Sequence, residues 1–329
     1  MNTGVVAAAP CRVDLAGGTL DIWPIGLLHP GARTLNVAVS IEVSVTLTPA
    51  VGSWGVVQQE RRIETPARRG LLASPETALV GLVAEHFDLP PFEATLRSDS
   101  PRGAGLGASS ALAVALIAAA ERMAQAPPST VPDTVHLARD LEARLMGLPT
   151  GVQDHYPALL GGALEIRHEP GGERVRRQPL DLDELGRCLV LVFAGGSHLS
   201  AANNFEVVSR RLQGDSATTK LLTAITEVAV AMAGELDAGN LAQVGRLMTE
   251  EWRARRELAP VISTPEVESI LQSGGAAGAW GGKVCGAGGG GCVALLAPPE
   301  TRDRVASRLT ALGYPELRCR PVASGLRVG

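Results

Sequence analysis

Two alternating stretches mark the first half of the chain. Val37–Thr48 (VAVSIEVSVTLT) is rich in β-branched residues and partly alternates, and in Phe92–Arg97 the residues Phe92, Ala94 and Leu96 share one face. A period of two predicts strands with one buried side. The pattern changes at PRGAGLGASSALAVALIAAA, residues 101–120, where glycines and small residues pass into an unbroken apolar run, Ala111–Ala120. This predicts a helix reaching about Ala124, stopped by Pro127 and Pro128. A second helix is predicted over Thr134–Met146, with Ala138, Leu141 and Leu145 as its apolar stripe and Gly147 near its end.

The second half opens on a predicted buried strand, Cys188–Phe193, followed by helices over about Ser216–Leu236 and Leu241–Leu258. GGKVCGAGGGGC then leads into CVALLA, read as a strand, with a helix over Arg302–Leu312 and a last strand near Leu317–Val322. Strands and helices do not alternate in strict βαβ order, so the expected class is α+β rather than a doubly wound parallel sheet. We expect two domains, 1–185 and 186–329. No internal repeat appears.

The 329 residues are 45% hydrophobic and 19% charged, enough for a substantial core. A net charge of −4 and 3% aromatic residues argue against a nucleic-acid binder, which needs a basic face and stacking rings. The apolar run at 111–120 is about half of what spans a bilayer. The five cysteines, scattered and without a CxxC pair, fit buried thiols in a reducing compartment. The expected protein is cytoplasmic, with no membrane or nucleic-acid partner; monomer and homodimer both remain open.

The run Pro101–Ala111 carries the first candidate chemistry. A glycine-rich loop entering a helix offers unpaired N–H groups and the positive end of the helix dipole. Gly103, Gly105 and Gly107 let backbone amides close on a phosphate, and Ser109 and Ser110 add hydroxyls for phosphate or Mg²⁺. The same loop also suits a helix packed tightly on a sheet with a serine N-cap. It is neither a Walker A loop, since Ala-Ser-Ser stands where Lys-Ser/Thr belongs, nor G-x-G-x-x-G near the start of a βαβ unit.

Other segments add polar groups. In APCRVDLAGGTLDIWP, Arg12, Asp14 and Asp21 surround a Gly-Gly turn suited either to a polyol and a transferring charged group or to a local ion pair. Trp23 reads as core or as cover for an apolar sugar face. In GVQDHYPALLGG, Asp154 follows a helix end, where a lone Asp is a base or a turn former. Glu142 borders the apolar stripe of its helix, a position that needs either a metal or an ion pair with Arg139. Seven glycines in GGKVCGAGGGGC suit backbone approaching a ligand or another loop. His198, Ser200, Asn203 and Asn204 form a polar cluster after a strand end, suited to hydroxyl contacts or to solvent.

PCRVDLAGGTLD, PRGAGLGASSA and KVCGAGGGGC, in that order, resemble the three motifs of the GHMP small-molecule kinases. AGG-x-x-D with GVQDHYPALLGG is most similar to the sugar 1-kinases, the branch of heptose 7-phosphate kinase, fucokinase and galactokinase. The resemblance implies an N-terminal domain like ribosomal protein S5 domain 2 and a ferredoxin-like C-terminal domain, with ATP and a small sugar meeting between them. It implies that Pro101, Gly103, Ala104, Gly105, Leu106, Gly107, Ala108, Ser109 and Ser110 wrap the triphosphate, and that Ser110 and Glu142 hold Mg²⁺. Asp154 would orient or deprotonate the acceptor hydroxyl, and Arg12 would keep Asp154 ionised and steady the transferring phosphoryl. Gly18, Asp21, Gly151, His198 and Asn204 would line the sugar, and Gly286, Ala287, Gly288 and Gly289 would form the active-site glycine motif.

The sequence departs from the family pattern at Ala108, where Ser or Thr is common, at GGTLD in place of GGGTD, and at His155, where relatives carry Gln or Asn. The implied reaction is ATP-dependent phosphorylation of a hydroxyl, the anomeric one foremost, of a monosaccharide or sugar phosphate. A non-sugar alcohol kinase, mevalonate- or homoserine-like, is the alternative, with a non-catalytic nucleotide-binding member behind it. A phosphorylated sugar would need a basic pocket, for which Arg33, Arg167, Arg210 and Arg211 are candidates.

Overall fold

A computed structural model describes residues 4–196 and 200–329. Its larger sheet is built from β1 (Val5–Ala16), β2 (Arg33–Pro49), β3 (Trp54–Gln58), β4 (Arg61–Thr65), β5 (Phe92–Ser98), β6 (Ala163–Glu169) and β7 (Gly172–Arg177). The long β2 pairs with β1 along its length, with β5 at its C-terminal end and with β6 at its N-terminal end. All pairs are antiparallel except β3 with β5. Cys11, Val13 and Leu15 enter the core, so the alternation along β1 turns Arg12 and Asp14 to its other side.

Helices α1 (Ala78–His86), α2 (Ala108–Met123), α3 (Val131–Met146) and α4 (His155–Leu160) cover this sheet. Alanines of α2 let it lie closely against β1 and β2, and nearly all of Ala111–Ala120 is buried. Thr130 caps α3, accepting from Asp133 N, and Pro132 sits in its first turn, so the helix starts three residues before the predicted Thr134. Its buried stripe contains Ala138, Leu141 and Glu142, whereas Leu145 is 38% exposed and does not belong to it.

After α5 (Leu182–Cys188), β8 (Leu189–Phe193) opens a second antiparallel sheet, completed by β9 (Gly281–Val284) and β10 (Cys292–Leu296) in the order β8-β10-β9. Helices α6 (Ser200–Leu212), α7 (Ser216–Asp237), α8 (Leu241–Arg255), α9 (Pro265–Ala276) and α10 (Pro299–Ala311) complete this half. Helix α8 joins the two cores: Leu241, Val244, Leu247 and Met248 pack with the larger sheet, and Trp252 packs with the smaller one. The predicted strand at 317–322 does not form. Only isolated bridges occur there, at Glu316 and Pro321, in a segment that Pro315 and Pro321 deprive of backbone donors. The last strand is instead β11 (Arg327–Val328), which returns to pair with β1.

Candidate active site

A cleft of about 700 Å³ runs between the two sheets' loops and gathers most of the residues singled out by sequence. Every residue from Pro101 to Ser110 lines it, as do Arg12, Asp21, Glu142, Gly151, Asp154, Asn204, Gly286 and Ala287. Gly18, Gly288 and Gly289 lie outside the lining: the Gly18 carbonyl accepts from Arg255, and Gly289 N donates to the Ile262 carbonyl. His198 lies outside the described residues. Trp23 is 72% exposed and therefore not core.

The glycine loop is held from both sides. Arg12 N donates to the Leu106 carbonyl at 2.9 Å, and Cys292 N donates to the Ala104 carbonyl at 2.7 Å. The second glycine motif therefore packs on the first. At Gly105, where φ is +71°, an added Cβ would stand 2.4 Å from the Cys285 carbonyl oxygen. Only glycine supplies both that backbone conformation and that clearance. The loop ends at Gly107, and α2 begins with Ser109 and Ser110 in its first turn.

Glu142 crosses from α3 to meet this helix start. Its carboxylate accepts from Ser109 Oγ at 2.8 Å and from Ser110 Oγ at 2.9 Å, and the His155 ring Nε2 lies 2.8 Å away. Burial opposes its charge, but His155 and the two hydroxyls outweigh burial and hold the carboxyl below the usual carboxylate range. Burial likewise opposes a charge on His155, and Glu142 outweighs it and raises the imidazole. Arg139 pairs with Asp140 at 2.8 Å, so the ion-pair explanation for Glu142 does not hold. One carboxylate and one hydroxyl, both hard oxygen donors, fit a Mg²⁺ that takes its remaining ligands from phosphate and water. Among the described residues no cluster of three or more His, Cys, Asp or Glu offers a cage for a metal.

Arg12 is buried and forms the other pole of the cleft. Its Nε and Nη2 lie 2.8 and 2.6 Å from Asp154 Oδ1, while its Nη1 donates to the Gly105 carbonyl. One guanidinium thus ties the loop to Asp154, which stands at the N-terminus of α4. Asp21 Oδ2 accepts from Gln153 N at 3.1 Å. Burial pushes the Asp21 carboxyl up to about 6.

Behind the Gly17–Asp21 turn lies a buried charge cluster. Lys283 Nζ of β9 sits 2.6 Å from Asp14 Oδ2 and 3.4 Å from Glu251 Oε2, with all three side chains fully buried. Arg255 Nε donates to Glu251 at 2.9 Å, and its Nη2 reaches the Gly18 carbonyl at 2.8 Å. Burial opposes the charge of Asp14, but Lys283 and Arg255 prevail and lower its carboxyl. Sequence reasoning missed Glu251, Arg255 and Lys283. The signal was their register, since Glu251 and Arg255 continue the apolar stripe Leu241, Val244 and Met248.

The arginines considered for a phosphate pocket do not enter the cleft. Arg33 and Arg167 converge with Arg176 on the buried Glu165. Arg210 donates to the Leu258 carbonyl, and Arg211 to His29 and the Leu28 carbonyl.

A glycine loop at a helix N-terminus, a carboxylate beside two hydroxyls and an arginine-clamped aspartate, set between a mixed sheet and a smaller antiparallel one, define a two-domain small-molecule kinase fold. Residues 76–162 match the model for the GHMP kinases N-terminal domain and residues 232–315 that for the GHMP kinases C-terminal domain, just over half of the chain together. The chain belongs to the GHMP kinase family. It is 30% identical over 312 residues to a bifunctional fucokinase/GDP-fucose pyrophosphorylase of Arabidopsis thaliana, covering 88% of this chain but only 29% of that longer protein. It is 26% identical over 311 residues to a D-glycero-alpha-D-manno-heptose 7-phosphate kinase of Campylobacter jejuni, covering 89% of each. The fold matches a D-glycero-D-manno-heptose 1-phosphate kinase structure from Bacteriodes thetaiotaomicron with a TM-score of 0.78 at 22% identity, over 99% of this chain and 98% of that one.

Proposed function

We propose that the chain is an ATP-dependent kinase that phosphorylates a monosaccharide or sugar phosphate at its anomeric hydroxyl. The observation that carries this reading is the Arg12–Asp154 pair, 2.6 Å long, set against the glycine loop at Gly105. It leaves Asp154 directed by one guanidinium at the junction of the two ends of the cleft.

In this reading the amides of residues 103–110 and the N-terminus of α2 hold the triphosphate, stabilising charge without reorganising during transfer. Ser110 and Glu142 hold Mg²⁺, which neutralises phosphate charge when bound, and His155 fixes the carboxylate for that task. Asp154 accepts the hydrogen of the acceptor hydroxyl and aims its oxygen, while Arg12 fixes Asp154 and balances charge on the moving phosphoryl. Asp21 and Gly151, with Asn204, form the sugar end of the cleft. The division at 1–185 and 186–329 is supported by the start of the second sheet at Leu189. We read the enzyme as cytoplasmic, in keeping with five free cysteines of which four are buried.

The test is ADP release from ATP and Mg²⁺ over a panel of monosaccharides, with the phosphate located on the product by NMR. Asp154→Asn should lower kcat by about 10²–10⁴-fold while leaving ATP binding nearly intact. Normal turnover in that variant sinks the assignment.

A further inference from the structure

The acceptor end of the cleft is short of hydrogen-bond donors, not of acceptors. Two buried oxygens of its lining, Asp21 Oδ1 and Gln153 Oε1, have no partner in the protein. Both accept hydrogen bonds. The other Asp21 oxygen is used by Gln153 N, so the carboxylate is held with its free oxygen unsatisfied. A buried polar atom left in this state is costly until a ligand completes it, and a sugar hydroxyl is the donor that does so.

Two of the arginines that line the cleft are already committed. The cleft is lined by Arg12, Arg97, Arg102 and Arg255 and by no lysine. Arg12 is engaged with Asp154 and the Gly105 carbonyl. Arg255 is engaged with Glu251, the Gly18 carbonyl and Thr19 Oγ1. Lys283 is enclosed between Asp14 and Glu251 behind the turn. Arg97 and Arg102 belong to the strand end and loop that lead into the glycine run, at the phosphate-donor side. The undescribed residues, 1–3 and 197–199, contain no Lys or Arg in the sequence. A phosphoryl group on the acceptor would therefore lie beside the carboxylates of Asp21 and Asp154, with Arg12 and Arg255 already engaged.

We propose that the acceptor is an unphosphorylated polyol, read by two hydroxyl-to-oxygen hydrogen bonds at Asp21 Oδ1 and Gln153 Oε1, with Gln153 a specificity residue of the site. This rests on the sugar-kinase reading above and narrows its substrate class. A site whose buried acceptors need donors discriminates strongly against a ligand that cannot supply them.

The experiment compares matched pairs, a free monosaccharide against the same sugar carrying a terminal phosphate, with mannose, galactose and a heptose as the sugars. ADP release should give kcat/KM at least about tenfold higher for the free member. A smaller preference, or a preference for the phosphorylated member, overturns the inference and leaves the kinase reading standing. No turnover on any member of any pair overturns the sugar-kinase reading itself. Gln153→Leu should raise KM for the free sugar at least about tenfold with KM for ATP unchanged, the latter showing that the cleft is intact. Asp21→Asn should reduce the free-to-phosphorylated ratio, because it removes the charge that a phosphate meets. An unchanged KM in the first variant, or an unchanged ratio in the second, counts against the assigned roles.

Discussion

Gly151 faces Asp21 so closely that a Cβ at position 151 would stand 1.7 Å from Asp21 Oδ2. The absence of a side chain there lets the buried carboxylate reach Gln153 N. Gly151→Ala should displace Asp21 and lower kcat/KM for the acceptor by about 100-fold, the scale of an ångström misplacement of a positioning group. KM for ATP should change little. Steady-state kinetics with each substrate varied in turn checks this; an equal loss on both sides would assign Gly151 to general folding.

Arg12 meets Asp154 through two nitrogens and the Gly105 carbonyl through the third. A lysine supplies one point charge and cannot span the three contacts. Arg12→Lys should therefore lower kcat by about 100-fold, as loss of a preorganised donor does. Because the same side chain ties down the glycine loop, KM for ATP should rise as well. A variant with wild-type kcat would remove Arg12 from the transfer step.

Asp21 gives the site a pH signature. Burial, the largest influence, raises its carboxyl from 3.8 to about 6, against a smaller opposing hydrogen bond from Gln153 N. The folded state thus holds this proton more tightly than the unfolded chain. Its contribution to stability is fully present below 3.8 and is lost as pH rises through about 6. Acceptor binding runs the other way, since only the carboxylate accepts from two donors at once. The profile of kcat/KM for the acceptor should rise through an ionisation near 6 that Asp21→Asn abolishes.

The two glycine motifs bear on one another at Gly105 and Cys285. An alanine at Gly105 would have to hold φ at +71° with its Cβ 2.4 Å from the Cys285 carbonyl. The left-handed backbone alone costs about 1–2 kcal/mol, and the clash must shift one loop off the other. Gly105→Ala should lower Tm and raise KM for ATP more than KM for the acceptor. Calorimetry and ATP titration check the two parts separately.

What could be read from sequence followed how local each signal was. The loop at 103–110 and the helix behind it declare themselves through glycine, serine and alanine in one continuous run. Strand β1 does not, because Arg12 and Asp14 interrupt its apolar pattern. They are tolerated since the alternation turns both toward partners donated by distant segments, Asp154 and Lys283. Glu251 and Arg255 fall on the apolar stripe of their helix, but no neighbouring residue in the sequence shows what covers them. Their burial depends on the Gly17–Asp21 turn, more than 200 residues earlier, closing over them. The false strand at 317–322 came from apolar residues whose flanking prolines cannot complete a ladder. Likewise Leu145 has the right spacing for the stripe of α3, but it stays 38% exposed in the last turn of that helix.

Lys283 carries the last prediction. Its ammonium is fully buried between Asp14 and Glu251 and joins strand β9 of one sheet to strand β1 of the other. Lys283→Met would leave two buried carboxylates facing one another with only Arg255 between them. Removing one partner from such a cluster costs about 3–5 kcal/mol, mostly for the charge left unpaired. Tm should fall accordingly. If the cost lies in that uncompensated charge, Asp14→Asn in the Lys283→Met background should recover a large part of the loss, although it removes a further ionic group. Additive losses in the double variant would instead mean that Lys283 and Asp14 contribute independently, and that the 2.6 Å contact is not what holds the acceptor turn against the second half.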